Sequence, residues 1–362
     1  MRFLLLGDGH SDIHERAAAN ALRRLGHDVE EAYWSPHFRA RLGIGTDEFR
    51  SFSARLQNWA VAGPILGSYA RQVVETAAAT KPDVVVAYRP THVTRALLEG
   101  IRAAVPHASL VSLNNDDPFS SHARSREWRH LLDAIPFYDL HFVYREVNLA
   151  DYRARGARNV RMLRSFYIPE RNHPMPLDDT ERERIGSDVV FIGHYEDDGR
   201  LPLLEAVAEA GFDLRIWGFQ WEKPMRRSAV LRKLPAPEYL KGDAYNRVLN
   251  ASKIALCFLS TINRDTYTRR CFEVPASGTM LVSQDSTDLR TLFREGEEAV
   301  FFRGKDELLA KLAYFLQDDA ARRAVAEAGK QRVAADGHDV VSRMAEAVRA
   351  IETVRMAPQG VS

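Results

Sequence analysis

Short apolar runs alternate with amphipathic segments along the first half of the chain, and each run is bounded by glycine, proline, asparagine or aspartate. Uninterrupted apolar runs of this length predict strands buried on both faces of a parallel sheet, and the amphipathic segments between them predict covering helices. The predicted strands are residues 2–6, 28–32, 82–88, 109–113, 140–144 and 160–163. This alternation predicts one α/β domain with a parallel sheet over residues 1–168.

The same alternation begins again after a segment that is rich in proline and charge. Residues 169–187 are predicted to be a linker, and residues 188–338 a second α/β domain. Amphipathic helices are predicted at 320–335 and 339–356, and we expect the segment 339–362 to pack back towards the N-terminal domain. Two consecutive Rossmann-like α/β/α domains with C-terminal cover helices imply a central cleft, because parallel sheets bind ligands at the carboxyl ends of their strands.

The overall charge gives no indication of a nucleic-acid or anionic membrane partner. The chain has 362 residues with a formal net charge of +1, so we expect no nucleic-acid partner and at most peripheral membrane contact. No apolar run is long enough for a signal peptide or a membrane span, which predicts a cytoplasmic protein. Cys257 and Cys271 lack metal-ligand spacing, and we predict neither a metal site nor a disulfide.

The most chemically suggestive stretch is residues 265–282, which we interpret as a short helix over Asp265–Ala276 followed by a strand. Asp265 and Glu273 are eight residues apart and would lie nearly on one helical face. Arg269 and Arg270 fall between them, and guanidinium groups near a helix N-terminus suit a diphosphate. The alternative is a solvated helix with ion pairs at four-residue spacing, which the charge pattern alone favours.

A second polar group follows a predicted strand of the first domain. Asn114, Asn115, Asp116 and Asp117 come directly after the apolar run 109–113, and His10 follows the first strand. Polar side chains at the carboxyl ends of buried strands suggest a substrate-facing site, while a proline-terminated turn is an equal alternative. The turn after the first strand is only G-x-G, so an NAD-dependent oxidoreductase is disfavoured.

The second half resembles the CgeB-like (spore-maturation) glycosyltransferases, which have the GT-B fold and are related to glycosyltransferase families 1 and 4. The resemblance spans most of residues 186–343 and rests mainly on F-I-G-H-Y at 191–195, I-W-G at 216–218 and R-C-F-E-V-P-A-S-G at 270–278. The N-terminal half matches through N-D-D-P at 115–118.

The resemblance implies a donor site in the second domain. Glu273 matches the second acid of an E-x7-E element that holds the donor ribose, and Asp265 stands at the first acid's position, where the family has glutamate. Gly193 and His194 would approach the diphosphate. Further residues implied at the donor are Arg200 and Arg270 at the phosphates and Trp217 and Gly218 near the base.

The function that follows is a metal-independent hexosyltransferase without a cofactor. Its donor would be a UDP- or GDP-linked sugar, and its acceptor a glycan, a lipid-linked glycan or a small molecule. A retaining reaction is favoured; an inverting one would need a base, for which Asp116, Asp117 and His10 are the catalytic candidates. The alternative from another class is a non-catalytic protein on the same fold that binds a nucleotide sugar or a polysaccharide.

Overall fold

The computed structural model describes residues 1–41, 47–240 and 242–356. The chain forms two compact units: Met1–Arg164 together with the chain from Val340 onward, and Ser165–Asp339. The boundaries predicted from the sequence lie a few residues later, at 168, and one residue earlier, at 338.

The first unit is built on a six-stranded parallel sheet with the strand order β2-β1-β5-β6-β7-β8. A separate antiparallel pair joins β3 to β4. The strands are β1 (Arg2–Gly7), β2 (Asp28–Tyr33), β3 (Arg39–Arg41), β4 (Asp47–Phe49), β5 (Val84–Tyr88), β6 (Ser109–Asn114), β7 (Leu140–Val143) and β8 (Val160–Met162). The helices that follow them are α1 (Glu15–Arg24), α2 (Ser35–Phe38), α3 (Phe52–Ala60), α4 (Pro64–Thr80), α5 (Arg95–Ala104), α6 (Ser125–Ala134) and α7 (Glu146–Ala154).

Between β2 and β5, residues 47–80 form β4, α3 and α4. The side chain of Ser51 accepts a hydrogen bond from the backbone N–H of Ala54 and so fixes the start of α3. Val61 adopts a left-handed conformation that ends α3, and Pro64 occupies the first turn of α4. Capping residues therefore separate two helices in a segment whose apolar periodicity continues without a break.

The second unit contains a five-stranded parallel sheet with the order β10-β9-β11-β12-β13. Its strands are β9 (Val189–Ile192), β10 (Leu214–Trp217), β11 (Ile254–Cys257), β12 (Met280–Gln284) and β13 (Val300–Phe302). Its helices are α8 (Asp179–Ile185), α9 (Arg200–Glu209), α10 (Glu222–Arg227), α11 (Ala244–Ala251), α12 (Arg270–Ala276), α13 (Leu289–Leu292), α14 (Lys305–Gln317) and α15 (Asp319–Ala335). Short 3₁₀ turns cover Ile135–Phe137 in the first unit and Leu231–Lys233 here.

The charged part of the predicted linker 169–187 is a helix of the second unit rather than an extended connection. The Asp178 side chain caps α8 by accepting from the Glu181 N–H at 2.7 Å. Glu181 also pairs with Arg247 of α11, with Arg247 Nε 2.6 Å from Glu181 Oε1. A capped helix held by an ion pair explains why this polar run is ordered against α11.

The last helix, α16 (Val340–Met356), belongs to the first unit. It packs against α1 and buries Met344, Val348 and Ile351. Near its end, the Arg355 guanidinium donates a hydrogen bond to the Asp83 carbonyl oxygen, which lies just before β5. Apolar contacts and this terminal hydrogen bond hold the final helix to the sheet of the first unit.

Gly329 of α15 allows a close approach that any side chain would block. A Cβ atom at this position would lie 2.3 Å from the Glu298 carbonyl oxygen. We therefore expect Gly329→Ala to lower the free energy of unfolding by about 1–3 kcal/mol, as overpacking does, although alanine favours a helix by about 1 kcal/mol. Urea unfolding followed by circular dichroism measures the change.

Gly67 of α4 is the matched control, because the atom nearest to an added Cβ there is Arg71 Nη1 at 3.8 Å. Gly67→Ala should stabilise the protein by about 0.4–1 kcal/mol. A rise in stability for both substitutions would contradict the close approach at Gly329.

Candidate functional site

The loops after β9 and β10 are packed so closely against each other that each has a glycine where a side chain would overlap its neighbours. An added Cβ on Gly193 would lie 2.8 Å from Phe191 Cζ and 2.9 Å from Arg270 Nη2. Gly218, which follows β10, has a φ of +130°, and its Cβ would lie 2.2 Å from the Gly193 carbonyl oxygen. The Gly193 N–H donates to the Trp217 carbonyl oxygen at 2.8 Å. These contacts bring four of the predicted donor residues together at the carboxyl ends of β9 and β10.

Arg270 is the first residue of α12 and reaches back to the end of β9. Its Nε donates to the Ile192 carbonyl oxygen at 2.9 Å, which holds the guanidinium beside Gly193. Within the described part of the chain, Arg270 forms no ion pair with a carboxylate. A half-buried guanidinium that forms no ion pair with these residues and lies beside a glycine loop can receive an anion.

Arg269 and Glu273 form the ion pair that the sequence analysis gave as the alternative interpretation. Arg269 Nε lies 2.6 Å from Glu273 Oε1, and the Tyr245 hydroxyl donates to Glu273 Oε2 at 3.0 Å. The Arg269 guanidinium also lies over the ring of Phe166, 4.8 Å from its centroid. Both carboxylate oxygens of the buried Glu273 thus have protein partners.

The predicted helix Asp265–Ala276 begins only at Arg270, because tertiary hydrogen bonds hold the preceding residues elsewhere. The Thr266 hydroxyl donates to Asp288 Oδ2 at 2.8 Å, and the Ser165 N–H donates to the Tyr267 hydroxyl oxygen at 3.0 Å. The Asp265 N–H donates to the Ser260 carbonyl oxygen. Asp265 and Glu273 therefore do not share a helical face, which corrects the expectation from their spacing.

Asp265 lies at an open cavity of about 560 Å³ at the carboxyl ends of β11, β12 and β13. Ser260 and Thr261 contribute from the loop after β11, and Gln284 and Arg303 from the ends of the next two strands. Most of the residues that line the cavity are polar, with Leu259 and Phe302 as apolar members. Parallel sheets bind ligands at this edge.

The buried side chain of Arg200 holds the loop 194–198 in place through hydrogen bonds and ion pairs. Its side chain is only 2% exposed and pairs with both oxygens of Asp198. Arg200 Nη1 donates to the His194 carbonyl oxygen at 2.7 Å, and Arg200 Nη2 lies 3.4 Å from Glu196. A guanidinium neutralised and buried in this way orders the backbone of the loop and is not presented to solvent, in contrast to the phosphate contact implied by the resemblance.

Glu196 joins this loop to the neighbouring strand. His194 Nε2 lies 2.8 Å from Glu196 Oε1, and the Ser260 hydroxyl donates to Glu196 Oε2. Burial by itself raises the pKa of Glu196, but the hydrogen bonds from His194 and Ser260 and the charge of Arg200 outweigh it and lower the pKa to about 2. Glu196 is therefore an ionised anchor for His194.

Aromatic rings are exposed beside the glycine loop. Phe219 and Tyr239 stack with centroids 4.6 Å apart, and His194 lies in a stacked orientation 6.5 Å from Phe219. Trp217 is half-buried at the end of β10. An exposed ring stack next to the glycine loop provides a planar surface on which a base can pack.

The polar residues of the first unit are largely occupied by protein partners. Asp117 is buried and accepts hydrogen bonds from the Phe119 N–H and from Asn148 Nδ2 at 2.9 Å. Asp116 Oδ2 lies 2.5 Å from Arg89 Nε, and Arg89 also pairs with Glu127. His10 is exposed after β1. Asp117 thus has the hydrogen bonds expected of a residue that stabilises a turn, whereas Asp116 and His10 are accessible to a ligand.

Comparison with known proteins assigns the architecture. Residues 200–349 match a family model described as "Glycosyl transferase-like". Three solved structures are similar, and each alignment covers 98% of this chain. Anabaena Alr3699/HepE in complex with UDP-glucose has a TM-score of 0.67 and 14% sequence identity, with 100% of that chain covered. A glycosyltransferase from Rickettsia africae has a TM-score of 0.66 and 11% identity, and sucrose-phosphate synthase from Thermosynechococcus elongatus has a TM-score of 0.63 and 12% identity, each with 99% of that chain covered. The fold is GT-B. The search of curated proteins gave no match.

Contacts in the structure add residues to the candidate site that were not predicted from the sequence. Glu196 and Asp198 lie within five residues of His194, and this run of acids before a buried arginine was the available signal. Tyr245, Ser260 and Arg89 have no sequence signal, because their partners are distant in the chain.

Among the residues that the structure describes, no group of three histidine, cysteine, aspartate or glutamate side chains is arranged to hold a metal ion. No helix within residues 1–41, 47–240 and 242–356 combines the length and apolar character needed to cross a bilayer.

We expect Glu196→Gln to destabilise the second unit by about 1–3 kcal/mol at neutral pH, because a buried charged hydrogen-bond network is lost. The pKa of Glu196 is lower in the folded protein than its ordinary value of 4.5, so ionised Glu196 stabilises the folded state above that pH. This stabilisation disappears as the pH falls from about 4.5 towards about 2.

The difference between the unfolding midpoints of wild type and Glu196→Gln should therefore shrink across that range. Glu209→Gln, at the exposed end of α9, is the control and should cost less stability at neutral pH. A difference for Glu196→Gln that is constant with pH would show that its ionisation does not stabilise the loop.

Proposed function

We propose that this chain is a hexosyltransferase that takes its sugar from a UDP-linked donor, bound at the carboxyl edge of the second sheet. The match of residues 200–349 to a glycosyl transferase-like family supports the reaction class. HepE, which shares the fold, has been crystallised with UDP, with UDP-glucose and with UDP and glucose, and this supports UDP over GDP. The CgeB-like relationship remains part of the proposal.

The observation that carries the proposal is the difference in ion pairing among three arginines. Arg200 is neutralised by Asp198 and Arg269 by Glu273. Arg270 has no carboxylate partner among the described residues, although a hydrogen bond to Ile192 fixes its guanidinium beside Gly193. A preorganised cation next to backbone without side chains suits the diphosphate of a nucleotide sugar, whose oxygens need both close approach and charge neutralisation.

In this proposal, the diphosphate contacts the Gly193–His194 loop and Arg270. The base packs near Trp217 and Gly218, where Phe219 adds an exposed ring, and the ribose lies near Glu273. Arg200 acts as a positioning residue through the His194 carbonyl oxygen. Asp265, which lines the cavity at the ends of β11–β13, contacts the donor from there.

The transfer breaks the bond between the sugar's anomeric carbon and the diphosphate oxygen and forms a bond to an acceptor hydroxyl oxygen. Negative charge develops on the leaving diphosphate, and Arg270 stabilises it more strongly as the bond breaks. We propose that the reaction is retaining and needs no metal, with the acceptor proton passing to the leaving phosphate oxygen. Asp116 and His10 remain candidates for contact with the acceptor.

Arg270→Ala should weaken UDP binding by about 1.5–3 kcal/mol, the usual contribution of a hydrogen bond to a charged group. Isothermal titration calorimetry with UDP measures the loss, and GDP and NAD test the choice of base and ligand. Arg323→Ala, whose side chain is 78% exposed on α15, is the control and should bind UDP as wild type does.

The outcomes separate the parts of the proposal. If wild type binds none of these nucleotides, the proposed function is wrong. If Arg270→Ala binds UDP as wild type does, only the role of Arg270 is wrong. Binding without sugar transfer or donor hydrolysis would favour a non-catalytic nucleotide-sugar-binding protein.

Glu273→Gln tests whether this carboxylate contacts the ribose or only holds Arg269 and Tyr245. A ribose contact predicts that wild type binds UDP more tightly than 2′,3′-dideoxy-UDP, by about 1.5–3 kcal/mol, and that Glu273→Gln loses most of this preference. Tyr245→Phe, which removes one partner of the same carboxylate, is the comparison variant and should keep the preference. Equal weakening of both ligands by Glu273→Gln would assign Glu273 a purely structural role.

A further inference from the structure

Helix α3 turns its apolar side chains towards solvent. Phe52, Leu56 and Trp59 follow the spacing of one helical face, and their exposed fractions are 81%, 52% and 60%. The only buried residue of the helix is Ala54. Soluble helices normally bury such a stripe, so three large exposed side chains on one face indicate an interaction surface.

The helix is firmly held in this orientation. Besides the Ser51 cap, Gln57 Oε1 accepts from the Ile65 N–H at 2.9 Å, which ties α3 to the start of α4. At its other end, Arg129 of α6 donates to the carbonyl oxygens of Ala60 and Val61 at 2.7 and 2.8 Å. The exposed face is therefore displayed by a fixed scaffold.

Arginines surround this apolar face. Arg55 lies on α3 itself, and the Arg126 guanidinium of α6 lies over the Trp59 ring, 3.6 Å from its centroid. Arg50 and Arg129 contact backbone carbonyl oxygens, and neither they nor Arg55 and Arg126 form an ion pair within the described residues. Helix α3 has no acidic residue. The acids nearest to α3 along the chain are Asp47 and Glu48 of β4 and Glu75 of α4. Helix α6 carries Glu127, which pairs with Arg89, and Asp133.

We propose that α3 docks onto the surface of an anionic lipid bilayer. Phe52, Leu56 and Trp59 would enter the boundary between headgroups and acyl chains, and Arg55 and Arg126 would contact lipid phosphates. The helix has nine residues and a length of about 14 Å, so it can lie along the surface but cannot cross it.

The charges favour a bilayer over a protein partner. The core of a protein interface would desolvate Arg126 together with Trp59, and no carboxylate within the described ranges of the chain is paired with that arginine. At a bilayer, the indole ring and the guanidinium stay at the headgroup level, where phosphates and water solvate both. This inference is independent of the proposed transfer reaction.

Vesicle flotation tests the surface directly. The full chain should float with vesicles of phosphatidylcholine and phosphatidylglycerol, and less with phosphatidylcholine alone. Combined Phe52→Ser, Leu56→Ser and Trp59→Ser should reduce binding by on the order of tenfold or more, because the apolar contacts are lost. Tyr314→Ser, which removes a 55% exposed aromatic ring from α14, is the matched control and should bind like wild type.

The arginines should set the lipid preference. Arg55→Gln and Arg126→Gln should each weaken binding to the anionic vesicles by on the order of fivefold. Added salt should reduce the remaining difference between the two vesicle types.

A fluorescent probe keeps the test valid if the triple variant fails to fold. Both native cysteines are buried, so a label on Ser53→Cys of α3 reports this surface alone. Its emission should shift to shorter wavelength with anionic vesicles, whereas a label on Thr353→Cys of α16 should not respond.

Three results would overturn the proposal. They are failure of wild type to bind anionic vesicles, a probe at residue 53 that stays in water, and a self-associated wild type in sedimentation velocity that the triple variant converts to monomer without changing vesicle binding. The last would make a second copy of the chain the occupant.

Discussion

The hydrogen bond from Arg270 Nε to the Ile192 carbonyl oxygen is the contact on which the candidate site depends. It fastens the start of α12 to the end of β9 and leaves the rest of the guanidinium beside Gly193. The geometry is possible only because Gly193 and Gly218 carry no Cβ, since a methyl group on either would overlap its neighbours. A cation next to open backbone is a favourable place for phosphate oxygens.

Carboxylates decide which arginines of the second unit are structural. Asp198 and Glu196 surround Arg200, and Glu273 neutralises Arg269, so both guanidinium groups stabilise loops and helix ends. Breaking such buried pairs leaves an uncompensated charge, which is costly. Arg270 differs because its guanidinium donates to a carbonyl oxygen and, within residues 1–41, 47–240 and 242–356, forms no ion pair with a carboxylate. The same residue type thus has two different kinds of partner at one edge of the sheet.

The first unit shows the same selection by neighbours. Asp117 is buried and hydrogen-bonded to Asn148 and to the Phe119 N–H, whereas Asp116 is half-exposed beside Arg89, so the two acids after β6 have different surroundings. Helix α3 reverses the usual rule for amphipathic helices. Its small residue faces inward and its large apolar residues face out, and the hydrogen bonds from α6 keep it so.

The sequence by itself determined the two α/β units, because continuous apolar runs such as Val84–Tyr88 can be satisfied only by strands covered on both faces. It also identified the glycine loop and the 270–278 element through their resemblance to a known family. It could not distinguish Arg270 from Arg200, place the start of α12 or reveal the outward face of α3. Those features are set by contacts between residues far apart in the chain, such as Thr266 with Asp288 and Arg129 with Val61, and only the tertiary structure brings such partners within hydrogen-bonding distance.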